Sequence, residues 1–174
     1  MPTQNRRRTT LTTRLILEDA DKILMLAQTK LNGDGFTLPG GKIEAMEFAK
    51  ESLIRECKEE ADIIIKKKDL QLAHIVYNKL KGSTEIVFFF SAKNWKNTPR
   101  IVEVEKFSDC IWVSRLEIPK KTTTVVKNAL KRWFEGKIYS EIPKAKKKIA
   151  VKESASSSKR VMSKATKLKA KLTK

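Results

Sequence analysis

The sequence predicts a mixed α/β domain with helices available for two sides of a sheet. Three observations carry this reading. Two pairs of β-favouring apolar runs are each broken by a short turn, a helical stretch lies between the pairs, and another follows them. The first pair is 11–17 and 22–27, with Asp19-Ala20-Asp21 as the turn of a hairpin. Asn32-Gly33-Asp34-Gly35 has the chemistry of a loop, and Phe36-Thr37-Leu38 is a short extended piece running into Pro39-Gly40-Gly41. From Glu47 the apolar spacing becomes helical, with Phe48, Ala49, Leu53, Ile54, Cys57 and Ala61 on one side. That helix is expected to end near Ala61-Asp62, because Asp adopts the left-handed conformation of a helix terminus, though less readily than Gly.

The second hairpin is 70–80 with 84–92, joined by Lys81-Gly82-Ser83. Its segment 86–90 is continuously apolar, as a strand buried on both faces should be. Residues 94–109 are polar and irregular, and 110–113 are a short strand. The stretch 122–134 reads as an amphipathic helix using Val125, Val126, Ala129, Leu130 and Phe134, closed by Gly136.

Charge divides the chain. Of a net +18 over 174 residues, residues 141–174 hold 12 Lys/Arg against 2 Asp/Glu, a net +10. The expected organisation is a basic leader (1–10), a folded domain (11–140) and a Lys-rich tail (141–174) too poor in apolar residues to offset its ordering entropy. Scattered lysines without aromatics suit sequence-blind attraction to nucleic-acid phosphates, and solubility is the other use of such a tail. No apolar run approaches a membrane span. Cys57 and Cys110 lie in apolar patterns and read as reduced core thiols, so a cytoplasmic setting is expected. His74, the single histidine, sits in an apolar strand pattern and reads as structural, as does Trp112.

The chemistry concentrates in one segment. Glu56, Glu59 and Glu60 are spaced i, i+3, i+4, which crowds three like charges onto one helical face. A hard divalent cation bound by oxygen ligands removes that repulsion. Gly40-Gly41 precedes the helix and Arg55 adjoins the first carboxylate, so the segment reads as a metal–phosphate site.

Gly41, five residues, Glu47, seven residues, then Arg55-Glu56-Cys57-Lys58-Glu59-Glu60-Ala61-Asp62-Ile63 resembles the Nudix box. Residues 38–44 are similar to the MutT-like branch of that family, and 103–113 to a stretch of Nudix nucleotide triphosphatases. Asp62 and Met46 stand where the family has glycines.

The resemblance implies a Nudix-like α/β/α sandwich that hydrolyses a nucleoside diphosphate linked to another group with Mg²⁺, or Mn²⁺ in its place. It implies Glu56, Glu59, Glu60 and the Gly40 carbonyl as metal ligands. Arg55 would orient a carboxylate, Gly41 and Glu47 would be structural, and Glu44 is a weaker candidate. One box glutamate, or a loop acid from Glu103 and Glu105, would take the proton from water. Lys42, Phe36 and Thr37 are candidate substrate contacts. The activity expected first is a nucleoside triphosphate pyrophosphohydrolase giving monophosphate and pyrophosphate. The alternatives are an RNA 5′-end pyrophosphohydrolase and a non-catalytic nucleotide- or nucleic-acid-binding module.

Overall fold

A computed structural model describes residues 8–143. Nearly all of the expected leader and tail therefore lies outside the described residues. Seven strands and two α-helices alternate along the chain: β1 (Arg8–Asp19), β2 (Lys22–Gln28), β3 (Phe36–Thr37), α1 (Ala49–Ala61), β4 (Gln71–Lys79), β5 (Ser83–Ala92), β6 (Phe107–Ser114), α2 (Thr124–Phe134) and β7 (Tyr139–Ile142). The strands form one mixed sheet in the order β3-β2-β1-β5-β4-β7, and β6 pairs with β2 beside that path.

Both expected hairpins form, but the first closes only at its tip. Glu18 pairs with Ile23 and Asp19 with Lys22, while the rest of β1 runs parallel to β5 from Arg8↔Ser83 to Leu17↔Ala92. β4 and β5 are antiparallel along their length, joined through Gly82 in a left-handed conformation. β7, which sequence patterning does not reveal, lies parallel to β4 from Ile75↔Tyr139 to Asn78↔Ile142 and crosses the expected domain boundary at 140.

The continuous apolar runs are explained by two cores. Leu15, Leu17, Leu24, Leu26 and Phe90 pack with Leu53, Cys57 and Ala61 of α1 on one face of the sheet. Ile16, Ile23, Met25, Val76 and Phe89 pack with Val126, Ala129 and Leu130 of α2 on the other. Alternate residues of the same strands thus serve opposite layers. Phe48 departs from expectation: it is the N-cap of α1, extended and 72% exposed, with Lys67 Nζ over its ring. Both cysteines are free thiols, Cys57 being fully buried. His74 is buried, its Nδ1 2.7 Å from the Lys137 carbonyl and its Nε2 2.8 Å from Ser140 Oγ, which ties β4 to the α2–β7 connection. Trp112 stacks on Trp95 at 5.6 Å between ring centres, against the α1-side core. Among the described residues no helix is long and apolar enough to cross a membrane.

Candidate active site and metal-binding cleft

The Pro39-Gly40-Gly41 segment lies along β1. The Leu15 amide donates to the Pro39 carbonyl and the Thr13 amide to the Gly41 carbonyl, each at 2.8 Å, and the Gly40 carbonyl takes no part in that pairing. Gly40 has φ +127, and a Cβ there would meet the Thr13 carbonyl oxygen at 2.3 Å. A Cβ on Gly41 would meet the Glu56 carboxyl group at 2.3 Å. The first glycine is required by backbone shape and the second by the carboxylate packed on it.

Arg55 organises the acids of α1. Its Nε and Nη2 grip Glu47 at 2.9 and 3.1 Å, and its Nη1 reaches Glu56 at 3.1 Å and Glu59 at 3.0 Å. Nη2 also contacts the Lys42 carbonyl at 3.4 Å, and Ser52 Oγ donates to the same oxygen at 3.0 Å. Arg55 thereby pins the loop before the helix to the helix itself. Its hydrogen bonds hold the Glu47 carboxyl down to about 2, and donating those same bonds pushes the guanidinium well above its usual range. Glu44 lies 4.0 Å from Arg55 and is largely exposed.

Glu60 faces the other way. It is 4% exposed and accepts the Gly40 amide at 2.7 Å. Burial raises its pKa from 4.5 to about 7, with Glu56 and Glu103 adding to the rise and the Gly40 bond and Arg14 opposing it. Glu103 reaches this position because its loop is laced to the end of α1. The Arg100 amide donates to the Ala61 carbonyl at 3.1 Å and the Val102 amide to the Glu60 carbonyl at 3.0 Å. Glu103 Oε1 takes the Lys106 ammonium at 2.8 Å, which raises the lysine's pKa, while its Oε2 is buried without a partner. Sequence leaves Glu103 and Glu105 as equals; in the structure Glu105 is exposed and only Glu103 faces the acids of α1.

A cleft of about 590 Å³ opens over these groups, lined among others by Gly40, Gly41, Lys42, Glu44, Glu56, Glu60 and Thr37. Arg14, Gln28, Glu85 and Lys106 also line it, and sequence patterning does not reveal them as site residues. The available signal was Arg14 itself, a cation inside the apolar run of β1. Phe36 is not brought to the cleft: it points away from Thr37 and packs on the α2 side. The far wall is fixed by Asn32 Nδ2, which donates to the Lys106 carbonyl at 3.1 Å, and Thr29 Oγ1, which donates to that of Glu105 at 3.0 Å.

Residues 8–134 match the family described as NUDIX domain. The chain belongs to the Nudix family. The Nudix fold is also that of solved MutT-type structures. A MutT NUDIX hydrolase from Burkholderia pseudomallei is 20% identical with a TM-score of 0.64, over 71% of this chain and 97% of its own. The MutT protein of Methanosarcina mazei Go1 is 19% identical at 0.66, over 75% and 96%. That of Bacillus halodurans is 23% identical at 0.62, over 76% and 88%. No curated protein matches the chain.

The two glycine positions of the Nudix box that this chain replaces keep the glycine conformation. Met46 has φ +67 and is fully exposed, and Asp62 has φ +54. Asp62 gives its carboxylate a use, accepting Lys58, Arg100 Nε at 3.0 Å and Asn97 Nδ2 at 3.3 Å, which fastens the loop that carries Glu103.

Nudix hydrolases generally use divalent metals such as Mg²⁺. Among the described residues no three carboxylate, thiol or imidazole side chains converge as a metal cluster. Glu59 is turned onto Arg55, Glu56 lies against Gly41, and Glu60 is bonded to the Gly40 amide. The donor set nonetheless fits a hard cation. Glu56 and Glu103 are close enough to disfavour the charge on Glu60, and Glu103 Oε2 is a buried oxygen without a donor.

Proposed function

We propose that this Nudix chain is a divalent-metal-dependent pyrophosphohydrolase that cleaves a nucleoside triphosphate to a monophosphate and pyrophosphate. The observation that carries this is the composition of the cleft: the carboxylates of Glu44, Glu56, Glu60 and Glu85 share its lining with Arg14, Lys42 and Lys106. A purely acidic pocket suits a cation and a purely basic one an anion, whereas this combination suits a polyphosphate bound together with its metal.

Glu56, Glu59, Glu60 and the Gly40 carbonyl are the groups that would hold Mg²⁺ or Mn²⁺. The bound ion would neutralise polyphosphate charge. Arg55 bonds Glu56 and Glu59 through its shared Nη1, which keeps these two carboxylates as neighbours on α1. Lys42 and Lys106 attract the phosphates as point charges, and Thr37 lies at the floor beside them. A water oxygen forms a bond to phosphorus, the bridging P–O bond breaks, and pyrophosphate leaves. The water proton passes to Glu103, whose Oε1 is steadied by Lys106.

The test is a product-resolved panel of nucleoside triphosphates and nucleoside diphosphate derivatives, assayed with and without Mg²⁺. Release of pyrophosphate is expected, reduced by at least ~100-fold in Glu56→Gln and about as strongly in Glu103→Gln. Metal-independent turnover, or full activity in both variants, refutes the assignment.

A further inference from the structure

A second site lies away from the cleft, where two lysine-rich segments meet. Residues 64–69 follow α1, and residues 93–97 follow β5. They are joined by a reciprocal pair of backbone hydrogen bonds, Ile64 N–H to the Lys96 carbonyl at 3.3 Å and Lys96 N–H to the Ile64 carbonyl at 2.8 Å. Ile63 and Ile65 are buried in the α1-side core, so the alternation of an extended segment turns Ile64 and Lys66 outward. The result is a pocket of about 360 Å³ lined by Ile64, Lys66, Lys68, Asn94, Trp95 and Lys96, with Asp69 as its one acid. It shares no residue with the catalytic cleft.

Two properties decide what this pocket suits. Among the described residues, no ion pair engages Lys66, Lys68 or Lys96, so three ammonium groups share one hollow with the single carboxylate of Asp69. The neighbouring Lys67, by contrast, is bound to Glu51 at 2.8 Å. Trp95 is held by stacking on Trp112, with ring centres 5.6 Å apart and planes at 37°, and it is only partly buried. A tryptophan fixed from behind and open toward a cationic hollow offers a stacking face with phosphate-binding groups around it. That pairing matches an unpaired nucleobase with its flanking phosphodiesters. Duplex nucleic acid keeps its bases stacked and has no use for the ring. A membrane surface would use the lysines but not a recessed aromatic.

We propose that this pocket is a docking site for single-stranded nucleic acid on the folded body, separate from the catalytic cleft and from the basic residues beyond 143. The proposal does not depend on which bond the cleft hydrolyses.

The test titrates the full chain with fluorescent oligouridylate and oligothymidylate of about fifteen nucleotides, from roughly 50 to 200 mM salt. Lys66→Glu, Lys68→Glu and Lys96→Glu together should weaken both by at least ~10-fold and lower the log–log salt slope by about 2, the value for three phosphate contacts on a single strand. The same positions changed to Arg should retain binding, and hydrolysis of free mononucleotides should not change in either variant. A photocrosslink from an iodouridine-substituted strand should map to Trp95. Stronger binding of oligouridylate than of oligothymidylate identifies RNA as the natural strand, and equal binding identifies backbone-and-base recognition common to both. Because charge alone could weaken binding, a control reverses Lys22, Lys79 and Lys81, which lie elsewhere. An equal loss in the control overturns the proposal. So do crosslinks confined to residues 144–174, undiminished binding in the triple Glu variant, or tighter binding of duplex or of anionic vesicles than of single strands.

Discussion

Replacing Glu60 by Gln tests the electrostatics of the cleft in the absence of any metal. The side chain is almost fully buried, and its bond from the Gly40 amide at 2.7 Å is one that a Gln carbonyl oxygen can accept equally well. The substitution therefore removes a charge while preserving shape. Glu60 has its pKa raised from 4.5 to about 7, chiefly by burial, with Glu56 and Glu103 contributing. A shift of that size corresponds to about 3 kcal/mol of differential stability. The stability associated with the neutral group is fully present below the unfolded value and is lost as pH rises through about 7. Glu60→Gln should thus match the parent near pH 4.5 and exceed it by up to about 3 kcal/mol near pH 8, as measured by urea unfolding in a chelator. Adding Mg²⁺ should narrow the gap from the parent's side, by about 2.7 kcal/mol at one hundred times the Kd. Parallel pH–stability profiles for the two proteins would refute the argument.

Arg55→Lys should behave nearly as badly as Arg55→Ala in a kcat measurement, each losing at least ~10-fold, because a lysine cannot span Glu47, Glu56 and Glu59 with one planar fork. Gly40→Ala should lower the unfolding free energy by roughly 2 kcal/mol or more and abolish turnover, since it combines a left-handed φ with a backbone clash. Asp62→Gly should change global stability by less than about 1 kcal/mol, because relief of the left-handed backbone offsets the loss of exposed ion pairs. Amide exchange at Arg100 and Val102 should nonetheless accelerate as the loop loses its side-chain ties.

What could be read in advance follows the range of the forces involved. The helix α1, its Asp62 terminus and the β4–β5 hairpin are determined by local periodicity and turn chemistry, and they stand where the residues place them. The parallel pairing of β1 with β5 depends on contacts far apart in the chain, and no local pattern encodes it. β7 is four residues long, and its register rests on β4 and on the His74 bonds to Lys137 and Ser140. Phe48 has the spacing of an apolar helix face, but as the N-cap it lies outside the helical backbone, so that spacing does not govern it. Spacing within α1 foretells that the box acids share a neighbourhood. It does not foretell that Arg55 and Gly40 would draw Glu59 and Glu60 to different partners. The choice of Glu103 over Glu105 is made by loop hydrogen bonds to α1 that no composition signals.

The central pairing of the sheet also has a consequence for how this protein is made. Leu11 has no neighbour on its inner edge until Ile86 has been synthesised, and Leu17 waits for Ala92. A nascent chain that already carries the complete Nudix box therefore still exposes an open strand edge and two unsealed apolar layers. Folding on the ribosome is held back until β5 emerges, and the interval before that is when a chaperone, or aggregation, has its best access to β1 and β2.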